Sequence, residues 1–256
     1  MYNFGLKLWS TNDFYIDEAL RLYKNHSYKY IELYVVPGSY DKYYLLWKNL
    51  QIPFVIHAPH FKDGVNLAKR ENFDRNIVLA KESILWADTL DSKTIIFHPG
   101  ISGEEQEIVR QLHLIKDKRI IIENKPYYTI TGDQICNGHS PELIRQIMKE
   151  ANVGFCLDVG HAICSANAQK IDPMVMVKSF LQLNPKLIHL TDGDFFSVID
   201  QHLNIGYGNY NMKAILSLIS EGSFVTVETN KKAKDNLLDF EEDIKKLGGI
   251  YGILYS

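Results

Sequence analysis

Histidine, glutamate and aspartate recur where short apolar runs stop. His57 closes Phe54-Val55-Ile56-His57 and is followed by Ala58-Pro59-His60, His98 closes Thr94-Ile95-Ile96-Phe97-His98, and Glu123 closes Ile120-Ile121-Ile122-Glu123. Asp158 closes Val153-Gly154-Phe155-Cys156-Leu157-Asp158, with His161 three residues on. His189 closes Lys186-Leu187-Ile188-His189, with Asp192 behind it, and Glu228 closes Phe224-Val225-Thr226-Val227-Glu228. Asp200 and His202 stand between the last two runs, in Asp200-Gln201-His202-Leu203-Asn204-Ile205-Gly206-Tyr207-Gly208. Imidazoles and carboxylates together are a ligand set for zinc, manganese or iron. A carboxylate at the end of a buried strand costs several kcal/mol unless it is paired or metal-bound. A lone strand-end histidine reads as a core or rim residue; six of the nine histidines converging with four carboxylates read as a metal site. The donors outnumber the roughly four that one zinc uses, so two or three ions are expected. Two ions about 4 Å apart activate a water and stabilise a leaving oxygen, which suits phosphoester hydrolysis.

Two more runs, Phe4-Gly5-Leu6-Lys7-Leu8 and Tyr30-Ile31-Glu32, bring the number to eight. Continuous β-branched and aromatic runs of this length predict strands buried on both faces. Amphipathic helical patterns lie between them. Asp13 to Lys24 presents Ile16, Ala19, Leu20, Leu22 and Tyr23 to one side, with Asn12 or Asp13 as cap. Asn72 to Ala87 follows the same spacing. Ser140-Pro141 and Asp172-Pro173 each open a helix with a cap residue and proline at the first position. Asn211 to Ile219 and Leu237 to Leu247 complete the set. Strand and helix in alternation imply an α/β fold with a parallel sheet, and polar residues at the strand ends imply a (β/α)8 TIM barrel, whose active rim lies there. One domain over residues 1–256 is expected, about the usual size for this barrel. The pocket is expected from loops at 37–40, 58–71, 125–138 and 192–210.

Outside this set, His26 falls in a turn, His113 on a helix and His139 before a helix cap, all surface or capping positions. Glu32 ends the second run on the active rim, either as a partner of a ligand or in a structural ion pair. The net charge of −3 gives no global attraction to nucleic acid, although a local basic rim is compatible with it. Lys231, Lys232 and Lys234 follow the eighth run, where they either contact phosphates or form a solvated charge run. Cys136, Cys156 and Cys164 have no paired spacing, which favours a reducing, cytoplasmic location over a disulfide framework. No signal segment is expected ahead of the first run, and no apolar stretch approaches the roughly 20 residues of a membrane span.

Nearly the whole chain resembles the xylose-isomerase-like barrels, and among them most the endonuclease IV family of abasic-site repair enzymes. The most specific matches are Phe97-His98-Pro99-Gly100, Leu157-Asp158-Val159-Gly160-His161-Ala162, His189-Leu190-Thr191-Asp192 and the stretch from Asp200 to Gly208. The resemblance implies a cluster of two or three ions, usually zinc, held by His57, His98, Glu123, Asp158, His161, His189, Asp200, His202 and Glu228. His57 fits the family's His-Ala-Pro pattern and ends its run directly, whereas His60 has the family's spacing to Asn66; His57 is preferred and His60 is assigned to substrate. The resemblance further implies that Glu123 bridges two ions and that Glu228 orients or deprotonates the attacking water, with abasic-site DNA as partner. Lys125, Asp192, Lys231 and Lys232 join His60 as expected substrate contacts. The family's arginine after the second strand is missing here, and His60-Phe61-Lys62-Asp63-Gly64 replaces its Tyr-Leu pair after the third. The alternative within the same superfamily is a sugar or sugar-phosphate isomerase or epimerase. It would use Glu123, Asp158, His189 and Glu228 around one manganese or similar ion, with Glu123 and Glu228 as the acid/base pair and a small phosphorylated sugar as substrate.

Overall fold

The computed structural model describes residues 2–250. Among them eight parallel strands close into a barrel in sequence order: β1 Asn3–Trp9, β2 Tyr30–Tyr34, β3 Phe54–His57, β4 Ile95–Phe97, β5 Ile120–Glu123, β6 Gly154–Asp158, β7 Leu187–Leu190 and β8 Phe224–Val227, with β8 paired to β1. The helices that return the chain are α1 Ile16–Lys24, α2 Tyr40–Lys48, α3 Phe73–Thr89, α4 Glu105–Ile115, α5 Pro141–Ala151, α6 Val159–Ala168, α7 Pro173–Leu181, α8 Met212–Leu218 and α9 Leu238–Ile250. The sequence-predicted barrel is thus the observed one, and His98 and Glu228 lie one residue past their strands. Among the described residues no helix is long and apolar enough to cross a membrane.

Strand side chains alternate between the two faces, and here the alternation separates two cores. The larger core joins the outward residues, such as Leu6, Ile31, Ile56, Phe97, Ile122, Leu157, Ile188 and Val225, to the helices. A smaller one, inside the barrel, contains Tyr30, Val55, Ile96, Ile121, Cys156 and Leu187. Gly5 serves this interior by close approach: a Cβ there would lie 2.3 Å from the Tyr30 ring. Two residues further along each strand the inward position becomes polar: Glu32, His57, His98, Glu123, Asp158 and His189 stand above the six residues of the inner core, and Lys7 and Glu228 stand above Gly5 and Thr226. The register sets Lys7 beside Glu32 and Asp158 beside His189. A dry apolar floor therefore carries a ring of charged and imidazole side chains at the C-terminal mouth.

Several local expectations need correction. Asn12 and Asp13 cap no helix by side chain: residues 13–15 form a short 3-10 turn, and Asn12 Oδ1 accepts from the Trp9 N–H. Tyr40, read as loop, opens α2. Val159 to Ala168, which shows no amphipathic period in the sequence, is a helix that starts directly on the last residue of β6. The other caps hold: Ser140 Oγ accepts from the Leu143 N–H and Asp172 Oδ1 from the Val175 N–H, each with proline at the helix start.

Candidate metal centre

Glu123 is the centre of the ring. Its Oε2 lies 3.1 Å from His98 Nε2, 3.2 Å from His57 Nε2 and 3.4 Å from His189 Nδ1, and its Oε1 lies 3.2 Å from His161 Nδ1. Asp158 Oδ2 is 3.7 Å from His161 Nδ1 and 3.9 Å from His189 Nδ1. Glu228 Oε2 is 2.8 Å from His189 Nδ1. Asp200 Oδ2 stands between His202 Nε2 at 2.6 Å and His161 Nε2 at 3.3 Å. All nine residues expected as ligands are thus brought together. They form overlapping groups, His57/His98/Glu123, Glu123/Asp158/His161 and His161/Asp200/His202, and within each group the donor atoms lie within 4.8 Å of one another.

Local sequence explains the aim of each side chain. Asp158 caps α6, its Oδ1 accepting from the His161 N–H at 2.7 Å, so Oδ2 is left for the cluster and His161 sits in the first turn above it. Asn124 clamps β5 to β6, accepting from the Asp158 N–H at 2.7 Å and donating to the Asp158 carbonyl at 2.9 Å. His202 has φ +48°, a left-handed backbone that costs a β-carbon residue about 1 kcal/mol or more. It is held there because its Nδ1 bonds the Glu228 carbonyl at 3.0 Å and its own carbonyl accepts from Asn230 at 3.0 Å.

The second nitrogen of each ring matters as much. His57 Nδ1 donates to the Ala58 carbonyl, His161 Nδ1 to the Asn124 carbonyl and His202 Nδ1 to the Glu228 carbonyl, while His189 Nε2 donates to Glu32 Oε2 at 2.9 Å. Each ring is thereby fixed by one nitrogen with the other turned to the carboxylates, as metal-ligating histidines are. His98 Nε2, Asp158 Oδ2 and His189 Nδ1 are buried and make no hydrogen bond among the described residues, although each lies within 4 Å of another donor of the cluster. An unsatisfied buried polar group costs about 1–3 kcal/mol, and a cation among these atoms would satisfy all three. The residues therefore fit metal ions. Cys156 completes another such group with Glu123 and His189; burial pushes its thiol up to about 12, so it stays protonated.

By itself the cluster balances its carboxylates with protons. Burial opposes ionisation of Glu123, but the charge of His189, with hydrogen bonds from His161 and His57, holds it well below the usual carboxylate range. Burial disfavours charge on His161 and His202 too, yet Asp158 chiefly raises His161 to about 9 and Asp200 raises His202 to about 10. His189 is likewise held well above its ordinary value, against burial, by the carboxylates of Glu32 and Glu228. Burial pushes Asp158 up, and the charges of Asp200 and Glu123 add to it.

The expected substrate contacts divide. His60 lies at the mouth, its ring stacked on His98 at 5.0 Å, and burial pushes it down to about 3. Lys125 Nζ is 3.4 Å from His161 Nε2. Lys231 donates to the Thr229 carbonyl at 2.8 Å, and burial lowers it to about 8. Asp192 and Lys232 are not brought into the cluster. Asp192 accepts from the N–H groups of Gly193, Gly206, Gly208 and Tyr210, tying the loop after β7 into the shape that delivers Asp200 and His202. Lys232 is exposed, 3.6 Å from Asp239 and 4.9 Å from the Tyr207 ring centre. Asn66 likewise pins loops, accepting from Ala68 and Ile101 and donating to the Ile101 carbonyl. Glu32 proves to be both things expected of it, partner of His189 and ion-pair acceptor for Lys7.

Lys7 was missed. Its buried ammonium lies 2.5 Å from Glu32 Oε1 and 3.1 Å from Glu228 Oε1. Burial opposes its charge, but Glu228 and Glu32 raise it above its ordinary value, and His189 and Lys7 hold Glu32 down at about 2 against its own burial. The signal was its place two residues beyond Gly5 in the first run, the period that puts it in the ring.

The sequence profile of the family described as xylose isomerase-like TIM barrel matches residues 20–248. A Latilactobacillus sakei protein described as "probable endonuclease 4" is 26% identical over 217 residues, 75% of this chain and 70% of its own. Among solved structures, a D-tagatose 3-epimerase-like protein superposes with a TM-score of 0.73 at 21% identity, covering 98% of this chain and 97% of the other. The endonuclease IV of Thermus thermophilus gives 0.71 at 17% identity, covering 98% and 100%. At these identities the structural likeness is one of fold.

Proposed function

Since the chain belongs to the xylose isomerase-like TIM-barrel family, which has both endonuclease and epimerase relatives, we propose that it is a metal-dependent phosphodiester hydrolase that cleaves DNA at abasic sites. It would work through two or three ions, zinc first, with manganese or iron as alternatives. The observation that carries this reading is the third donor group, His161/Asp200/His202, standing beside the four residues that a one-ion isomerase would use. Nothing in aldose–ketose chemistry requires it, whereas a phosphoryl group with an attacking and a leaving oxygen does.

His57, His98 and Glu123 would hold one ion, Glu123, Asp158, His189 and Glu228 a second, and His161, Asp200 and His202 a third. Bound there, the ions would neutralise phosphate oxygens and lower the pKa of water. Glu228 has one oxygen on Lys7 and the other at His189, and it is the more open of the two proposed catalytic glutamates, 21% exposed against 2% for Glu123. It is therefore the group that meets an incoming water and takes its proton at Oε2. Lys125 and Lys231 supply charge at the mouth for flanking phosphates, Lys231 below about pH 8. His60, neutral in ordinary solution, offers a hydrogen bond without charge.

The isomerase reading has one observation in its favour: His189 alone lies near Glu123, Asp158 and Glu228 together, a complete one-ion set. Asp200→Asn with His202→Gln separates the two. Phosphodiester cleavage should fall by at least about 100-fold, the scale set by losing charge stabilisation in a transition state, while a one-ion isomerase would keep its turnover. Retained hydrolysis in that variant would overturn the multi-ion reading.

A further inference from the structure

Glu32, His189 and Glu228 have the geometry of a cation site, with donor atoms within 4.8 Å of one another. The space is already claimed. Lys7 Nζ lies 2.5 Å from Glu32 Oε1 and 3.1 Å from Glu228 Oε1. The remaining oxygen of Glu32 is used by His189 at 2.9 Å and by the Thr226 hydroxyl at 2.7 Å. Lys7 stands beside Glu32 in the β1–β2 register, so the ammonium is delivered by the barrel wall itself. The other inward positions of the ring are imidazoles and carboxylates that can ligate a metal; among the described residues the ring's lysine comes from β1.

We infer that the Lys7 ammonium takes the place of a divalent cation between Glu32 and Glu228, and that in doing so it fixes Glu228 in its working orientation. The second half rests on the hydrolase reading; the first does not. Glu32, saturated by Lys7, Thr226 and His189, is kept from acting as a metal ligand and instead holds the His189 ring. Glu228 gives Oε1 to the ammonium and keeps Oε2 for the cluster. Lys7 is thus a positioning residue.

The test is Lys7→Met, equilibrated with excess zinc, dialysed, and assayed for zinc per chain by plasma mass spectrometry beside the wild type. One ion more per chain than in the wild type is expected, and an unchanged count would overturn the inference. In the cleavage assay kcat should fall by about 100-fold with KM held within about twofold, since misplacing a catalytic group acts on turnover; an unchanged kcat would refute the positioning half. If Lys7→Met does not fold, Lys7→Met with Glu32→Gln removes the buried charge and its partner together. That double variant should carry the wild-type number of ions, and an extra ion in it would exclude Glu32 as the ligand and overturn the inference. The ion count is read without any substrate, so inactivity of the wild type on DNA would sink the hydrolase reading and leave this one standing.

Discussion

Loading the cluster with metal should expel protons in a number that the structure sets. Ligating imidazoles must give up the proton on the nitrogen that binds. His161 is raised to about 9, His202 to about 10, and His189 well above its ordinary value, so at pH 7 all three are protonated before metal binds. His98 is pushed well below its ordinary value by burial, and Glu123, Asp200 and Glu228 are held well below the usual carboxylate range, so none of these has a proton to lose. Loading should therefore draw about three protons per chain from these three imidazoles, and their share should raise the overall binding constant about 1,000-fold per pH unit between pH 6 and 8, some 4 kcal/mol per unit. The sign follows: acid weakens binding because protons compete for the same nitrogens. Calorimetric titration of metal-stripped protein with zinc, in buffers of equal pH and different ionisation enthalpy, counts the protons directly. His202→Gln should lower the count by one. A release below about one proton at pH 7, or a count unmoved by His202→Gln, would show that these imidazoles are not protonated ligands.

Three further outcomes follow from single contacts. Glu228→Gln should retain metal but lose turnover by about 100- to 10,000-fold, the range for removal of a general base; loss of metal along with turnover would make Glu228 chiefly a ligand. Asp192→Ala removes the acceptor of four backbone N–H groups and should cost about 2–3 kcal/mol in urea unfolding together with one bound ion, since Asp200 and His202 ride on that loop; a full metal count would contradict its loop-shaping role. Gly100→Ala, at φ +121° with the new Cβ 2.2 Å from Asn66 Oδ1, should destabilise by about 1–3 kcal/mol, and an unshifted urea midpoint would show that the loop yields freely.

The barrel was legible because parallel strands, covered on both faces, are written as unbroken apolar runs, and most of the ring was legible because it sits where those runs stop. Lys7 escaped because a lysine within Phe4-Gly5-Leu6-Lys7-Leu8 reads as an interruption until it is placed in period two with Gly5, in the same layer as Glu32. Helix α6 escaped because residues 159–166 are all buried; a helix covered on all sides has no polar face, hence no amphipathic period to detect. Asp192 was misjudged for a different reason. Its neighbours in sequence are site residues, but its carboxylate is consumed by N–H groups up to 18 residues away, contacts that only the folded loop creates. The choice between His57 and His60 turned on geometry too: His57 ends β3 with Nε2 at Glu123, while His60 caps the 3-10 turn over residues 61–63 and stacks on His98 from outside.

Metal-dependent hydrolysis of a phosphodiester beside an abasic site is the proposed activity. Its most direct test is a nicking assay with zinc-loaded protein on a duplex carrying one abasic-site analogue, run beside the intact duplex and a chelator-treated control. Cleavage of the lesion strand alone is expected, immediately 5′ to the lesion, abolished by chelator and by Glu228→Gln. No cleavage by protein shown to hold its full complement of metal would contradict it.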